Sequence, residues 1–192
     1  MSGAHVAAAI LYFCWLSWIA YWKFSAHKQK PAIERQSVMQ RLSYSVLFIP
    51  SLVLLLADTR HTPVLKTLLI SHSVISASIG TFICVVGFVF TIWSRRVLAD
   101  NWSADVTFKE DHVLVTNGPY AITRHPIYTW LMVMIIGTAV VKGNVAGFIA
   151  IPLAFLSFLI KLHQEEKLMQ AHFGDSYSAY KSRTKQIIPF LF

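Results

Sequence analysis

Apolar residues in this chain are gathered into long blocks separated by short polar segments, not spread at the spacing of surface helices or strands. Residues 4–22 form the first block and close on Trp15, Trp18, Tyr21 and Trp22, aromatics suited to a membrane–water belt. Lys23, Lys28, Lys30, Pro31, Arg35 and Arg41 follow as a basic loop. Residues 42–57 are a second block, interrupted by Pro50. At about 1.5 Å per residue it is short for a roughly 30 Å hydrocarbon core, which predicts a tilted or sheltered helix. A polar turn over 58–66 leads to a third span, 70–93, where Gly80 and Gly87 let a neighbouring helix approach.

The longest polar stretch is 100–124, within which His112-Val113-Leu114-Val115 is expected to run extended. Residues 127–141 and 145–162 are apolar again around Lys142-Gly143-Asn144, predicting a helical hairpin whose return arm carries Pro152. From Lys161 onward Leu168, Met169, Phe173, Tyr177 and Tyr180 recur at roughly helical spacing, an amphipathic tail. The pattern therefore predicts an all-α integral membrane protein of about five transmembrane helices, with a C-terminal hairpin and a cytoplasmic amphipathic tail. Residues 1–100 read as a three-span membrane region and 101–192 as the region carrying chemistry, within a single structural domain.

Composition sharpens this reading. Of 192 residues 55% are hydrophobic and only 14% charged, against about 25% charged in soluble domains. Lys and Arg number 17 against 9 Asp and Glu. Because that surplus lies beside apolar blocks, headgroups and topology explain it better than nucleic acid does. With the basic segments inside, the N-terminus is expected outside and the C-terminus in the cytoplasm. No basic n-region precedes the first block, so it is expected to remain as a span. Cys14 and Cys84 fall inside apolar blocks and read as small hydrophobes. The eight His form no H-x-x-x-H and no pairing with Cys, so no metal site is expected. There is no glycine-rich phosphate loop and no nucleophile elbow.

The candidate chemistry gathers in Asn117 to Tyr128 and around Glu165-Glu166. Pro119 and Pro126 disfavour helix at the residues before them, and Pro126 suits a first helical turn. His125 is thus expected just outside a helix N-terminus, with Tyr128 on its first turn. Taken singly, His125 reads as a loop histidine, Tyr120 and Tyr128 as belt aromatics, and Arg124 as a partner for lipid phosphate. Lys161 and Glu165 share one helix face, and ionisable groups leaving a span are costly unless paired or functional.

Taken together, the motifs resemble the isoprenylcysteine carboxyl methyltransferase family and the related membrane phospholipid methyltransferases. The resemblance rests on His112 to Val115, Gly118-Pro119-Tyr120, Arg124-His125-Pro126-Ile127-Tyr128, Glu165-Glu166, Phe173-Gly174-Asp175 with Tyr177 and Tyr180, and Ile188-Pro189-Phe190. It covers roughly the last half of the chain. It implies an enzyme using S-adenosylmethionine, with S-adenosylhomocysteine as product, and a lipophilic or lipidated acceptor drawn from the bilayer. It implies cofactor contacts from His112, Val113, Leu114, Val115, Tyr120, His125, Pro126, Ile127, Tyr128 and Glu165. It gives Lys161 and Glu165 the catalytic positions, and Lys161 and Arg124 the acceptor. Where the family has Arg this chain has Lys161, which keeps the charge and loses the two-pronged grip. Three functions stay open: O-methylation of a prenylcysteine-like carboxylate, N-methylation of a lipid amine or methylation of another small lipophile, and non-catalytic binding of a ligand or partner. The oligomeric state is not legible.

Overall fold

The computed structural model describes residues 3–26, 32–59, 61–102, 106–109 and 113–189. The basic-loop residues Lys28, Lys30 and Pro31, the expected cofactor contact His112, and Phe190 of the last motif lie outside the described residues. Six helices carry the fold: α1 (Gly3–Ala26), α2 (Val38–Leu56), α3 (Pro63–Lys66), α4 (Val74–Leu98), α5 (Pro126–Lys142) and α6 (Val145–Arg183). Helices α1, α2, α4 and α6 are long and apolar enough to cross a membrane, and α5 is a shorter apolar helix of 17 residues. Their outward faces carry Tyr12, Phe13, Val46, Val74 and Phe82, all exposed. An apolar surface of this extent requires hydrocarbon around it; this is a multi-pass membrane protein.

The second block is a longer helix than its apolar run. Ser37 caps α2, its hydroxyl accepting from the Gln40 N–H at 3.2 Å while Gln40 Oε1 accepts from the Ser37 N–H at 2.7 Å. This capping box starts the helix four residues before the apolar run, giving 19 residues, about 28 Å at the helical rise. Pro50 is accommodated inside it. A similar box between Ser73 and Ser76 starts α4, so Ser71 and Ser73 lie outside the span predicted from residue 70.

α5 is the central helix. It buries Leu131, Met132, Met134, Ile135, Gly137, Thr138 and Ala139. α4 lies against it so closely that a Cβ on Gly87 would stand 2.7 Å from Met134 N, and one on Gly137 would stand 2.5 Å from Cys84 N. Glycine at these positions is a packing requirement. Gly143 closes the hairpin in the left-handed region (φ 62°), and its carbonyl accepts from Leu69 and Ile70 N–H. Side-chain hydroxyls tie the spans in the interior: Ser51 donates to Ala150 O at 2.8 Å and Ser157 to Tyr44 O at 2.9 Å. Trp15 Nε1 donates to Thr138 Oγ1 at 3.1 Å.

The strand of the polar stretch is β2 (Thr107–Lys109), paired antiparallel with β1 (Ala32–Arg35), while residues 113–116 join no strand pair. Partner strands distant in sequence decide which run pairs. The amphipathic tail continues α6, which runs on to Arg183 with a kink at Gly174 (φ 50°).

Candidate active site

The collar forms because Pro119 and Pro126 forbid one continuous helix. Gly118–Ala121 makes a 3-10 turn that begins at Gly118, φ 58°. His125 then becomes the N-cap residue of α5 with Pro126 at its first position, as the spacing predicts. The C-terminal tail holds this turn in place. Arg124 N–H donates to Lys185 O at 2.8 Å, His125 N–H to Gln186 O at 3.1 Å, and Thr129 Oγ1 to Ile187 O at 2.6 Å. Tyr180 OH donates to Tyr120 O at 2.6 Å. Tyr128 and Thr129 N–H turn back to His125 O, so four amides at this helix start are already engaged.

Charge concentrates where the collar meets α6. Arg124 Nε donates to Glu166 Oε1 at 2.7 Å and Nη1 to Thr184 O at 2.5 Å. Lys181 Nζ stands 3.3 Å from Glu166 Oε2. Glu166 is thereby committed to holding collar and tail together. Glu165 is held differently: Tyr128 OH donates to its Oε1 at 2.6 Å, and His125 Nδ1 lies 3.5 Å from its Oε2. Burial pushes the His125 pKa down, but Glu165 and Glu166 on either side outweigh it, and the net shift is upward. The ring lies between two carboxylates that favour its protonated form. Its Nε2 comes within 3.4 Å of Glu166 Oε1 yet lacks a hydrogen-bond partner: the charges attract, but the donor is out of line.

These groups border a cavity of about 130 Å³. Val113, Leu114, Val115, Tyr120, Arg124, His125, Ile127, Tyr128 and Glu165 all line it. Two expected residues do not. Pro126 is buried under the turn, and Lys161 sits one helical turn from Glu165, its ammonium over the rings of Tyr44 and Tyr128. Nine lining residues went unassigned from sequence, among them Asn101, Trp102, Met169, Tyr177 and Tyr180. Tyr177 and Tyr180 were visible in the tail pattern; their burial needs the tail folded back. Asn101 had no local signal: its Oδ1 accepts from Val113 N–H at 3.1 Å and so fixes the 113–115 wall. Trp102 lies beneath the Arg95 guanidinium, 4.4 Å from its ring centroid.

Comparison with known proteins agrees with this geometry. A family model described as phospholipid methyltransferase matches residues 75–176. Protein-S-isoprenylcysteine O-methyltransferase of Tribolium castaneum is 30% identical over 151 residues, 77% of this chain and 52% of that protein. The enzyme of the same name from Schizosaccharomyces pombe is 34% identical over 83 residues, 43% of this chain and 35% of that one. The chain thus spans about a third to a half of the length of these relatives. The solved structure of a eukaryotic intramembrane Ras methyltransferase, an isoprenylcysteine carboxyl methyltransferase, superposes with a TM-score of 0.61 at 28% identity, covering 78% of this chain and 53% of that one. Since the matched region takes in more than half of the 192 residues and includes both the collar and the Glu165-Glu166 pair, the chain belongs to the phospholipid methyltransferase family and stands beside the isoprenylcysteine carboxyl methyltransferases within it.

Proposed function

We propose that the protein is an integral membrane methyltransferase that uses S-adenosylmethionine to methylate the carboxylate of a prenylcysteine-like acceptor. The single observation carrying this is the lining of the collar cavity. A carboxylate held by Tyr128 and His125, the side chains of Tyr120 and Tyr177, and an apolar wall of Val113 to Val115 border one space. A cationic amino-acid head and an adenosine need such a set. At about 130 Å³ the space is below the roughly 300–1,000 Å³ of ligand pockets, so a ligand of that size enters as its walls part.

The cofactor supplies an electrophilic methyl on a sulfonium. Glu165 binds the ammonium or ribose hydroxyls, and Tyr128 and His125 fix the carboxylate's orientation. Aromatic faces of Tyr120 and Tyr128 favour the cationic centre. The tail, latched through Glu166 and the carbonyls of residues 184–187, keeps water from the reacting atoms. With the cofactor bound, transfer of its methyl from sulfur to a carboxylate oxygen would leave a thioether and an ester, so no general base would be needed and the residues contribute by positioning. In this reading residues 101–192 supply most of the cofactor site, 1–100 shape the acceptor's path from the bilayer, and collar and C-terminus face the cytoplasm.

Calorimetry with S-adenosylmethionine on the purified protein is the test. Wild type binds, and Glu165→Ala loses about 10- to 100-fold, as expected for hydrogen bonds to a charged group. An absence of binding by wild type overturns the reading. Transfer of labelled methyl to phosphatidylethanolamine but to no prenylcysteine overturns the carboxylate acceptor.

A further inference from the structure

Arg95, near the end of α4, is only 4% exposed, and the chemistry proposed above makes no use of it. A buried charge persists where hydrogen-bond acceptors meet its donors, and here two helix ends do so. Nη1 donates to Ala99 O at 2.7 Å, where α4 stops, and Nη2 to Ser25 O at 3.1 Å, in the last turn of α1. Carbonyls at a helix C-terminus have no intrahelical donor and favour a cation. The same guanidinium lies over the Trp102 indole, and Trp22 of α1 meets that indole edge-on with centroids 6.1 Å apart.

The turn between these residues makes the arrangement matter. Ala99 is the one non-glycine residue at positive φ (47°) among the described residues, a backbone state that persists only where its surroundings impose it. Arg95 holds both sides of it: the Ala99 N–H donates to Arg95 O, and the Ala99 carbonyl accepts from the Arg95 side chain. The next residues become cavity wall, Asn101 through its bond to Val113 N–H and Trp102 through its ring. Among the described lining residues before Gly118, Trp102 supplies the one aromatic ring. We propose that Arg95 is a positioning residue of the cofactor site, setting the Trp102 indole as the wall against which the cofactor's adenine stacks. This rests on the reading of the cavity as an S-adenosylmethionine site.

Adenine is a flat π system that gains most from an aromatic face. An indole already fixed by its other neighbours loses little freedom when the ligand arrives. Arg95 suits this task by shape as well as charge. Its planar fork reaches two carbonyls while its face covers a ring; a lysine ammonium keeps the charge and cannot do both. The contacts with Ser25 and Trp22 also give α1, silent on function in its sequence, a part in cofactor affinity.

The test is titration of S-adenosylhomocysteine onto the purified full chain, followed by calorimetry and by tryptophan fluorescence. Wild type binds with a change in tryptophan emission. Trp102→Phe, which keeps a ring, binds nearly as well but loses most of that change. Trp102→Leu is expected to weaken binding about 10- to 100-fold, the range for removing a ring that stacks on a base. Arg95→Lys weakens it as well, and the double variant binds no more weakly than Trp102→Leu alone, because Arg95 acts through the indole. A merely structural Arg95 would instead give losses that add. Additive losses, or wild-type affinity in Arg95→Lys, overturn the inference. Should Arg95→Lys fail to fold, wild-type affinity in Trp102→Leu or a wild-type emission change in Trp102→Phe overturns it independently. A wild type that binds no S-adenosylhomocysteine overturns the methyltransferase reading and this inference with it, whereas the other failures leave that reading standing.

Discussion

The two ends of α5 are both polar and both border a cavity, yet they are built for different ends. At the Lys142 end the cavity is the larger, about 830 Å³, but its polar groups are turned on one another. Lys142 Nζ donates to Leu54 O at 3.2 Å and Ala57 O at 3.0 Å, and Asn144 Nδ2 to Thr59 Oγ1 at 3.0 Å. At the His125 end the cavity is small, but it is lined by a carboxylate, an imidazole and phenols, and the Glu165 carboxylate accepts on its Oε1 from Tyr128 with lone pairs to spare. Satisfied polar groups close a helix end; groups held in place with bonding capacity to spare make a site.

That contrast can be broken by removing one charge from each end. Arg124→Ala leaves Glu166 with Lys181 and the nearby His125 ring, and undoes the contact to Thr184 O. Breaking a buried pair in this way costs about 3–5 kcal/mol, so a large drop in thermal stability in detergent is expected, with cofactor affinity falling as the tail loosens. A drop under about 1 kcal/mol would show that the tail is held by its backbone bonds alone. Lys142→Met at the other end removes two bonds to carbonyls and should cost about 1–3 kcal/mol, leaving cofactor affinity unchanged. If affinity falls there as well, the ends are not independent.

The finest discrimination is in pH. The His125 pKa is raised above its ordinary 6.5 in the folded protein. Its stabilising contribution is therefore complete below about 6.5 and fades as pH rises through the elevated folded value. Stability followed upward from pH 6 should decline over that window in wild type and stay level in His125→Gln. An identical decline in both would mean that another group is titrating.

Much of the architecture was legible in the chain because a bilayer leaves few options: apolar runs of span length must be helices. Where the prediction slipped, side chains outside the run had intervened: Ser37 and Gln40 lengthened α2. The site was half legible. Pro119 and Pro126 set the collar by local sterics, and Glu165 and Lys161 shared a face by helical period. Asn101, Trp102, Tyr177 and the aromatic seat of Lys161 were not, since they depend on contacts between residues distant in sequence, such as Val113 on Asn101 and Lys161 on Tyr44.

The sequence by itself thus determined the membrane class, the helical hairpin and the order of the chemical motifs, because these follow from hydrophobic runs and backbone sterics. Only the tertiary structure decided which of two adjacent glutamates is consumed and which is presented. Glu166 faces Arg124 and Lys181 while Glu165 faces Tyr128 and the cavity, a division fixed by which helix lies opposite each side chain. It likewise set Lys161 between a tyrosine of α2 and one of α5, since a cation in a low-dielectric seam is held only by what packs around it.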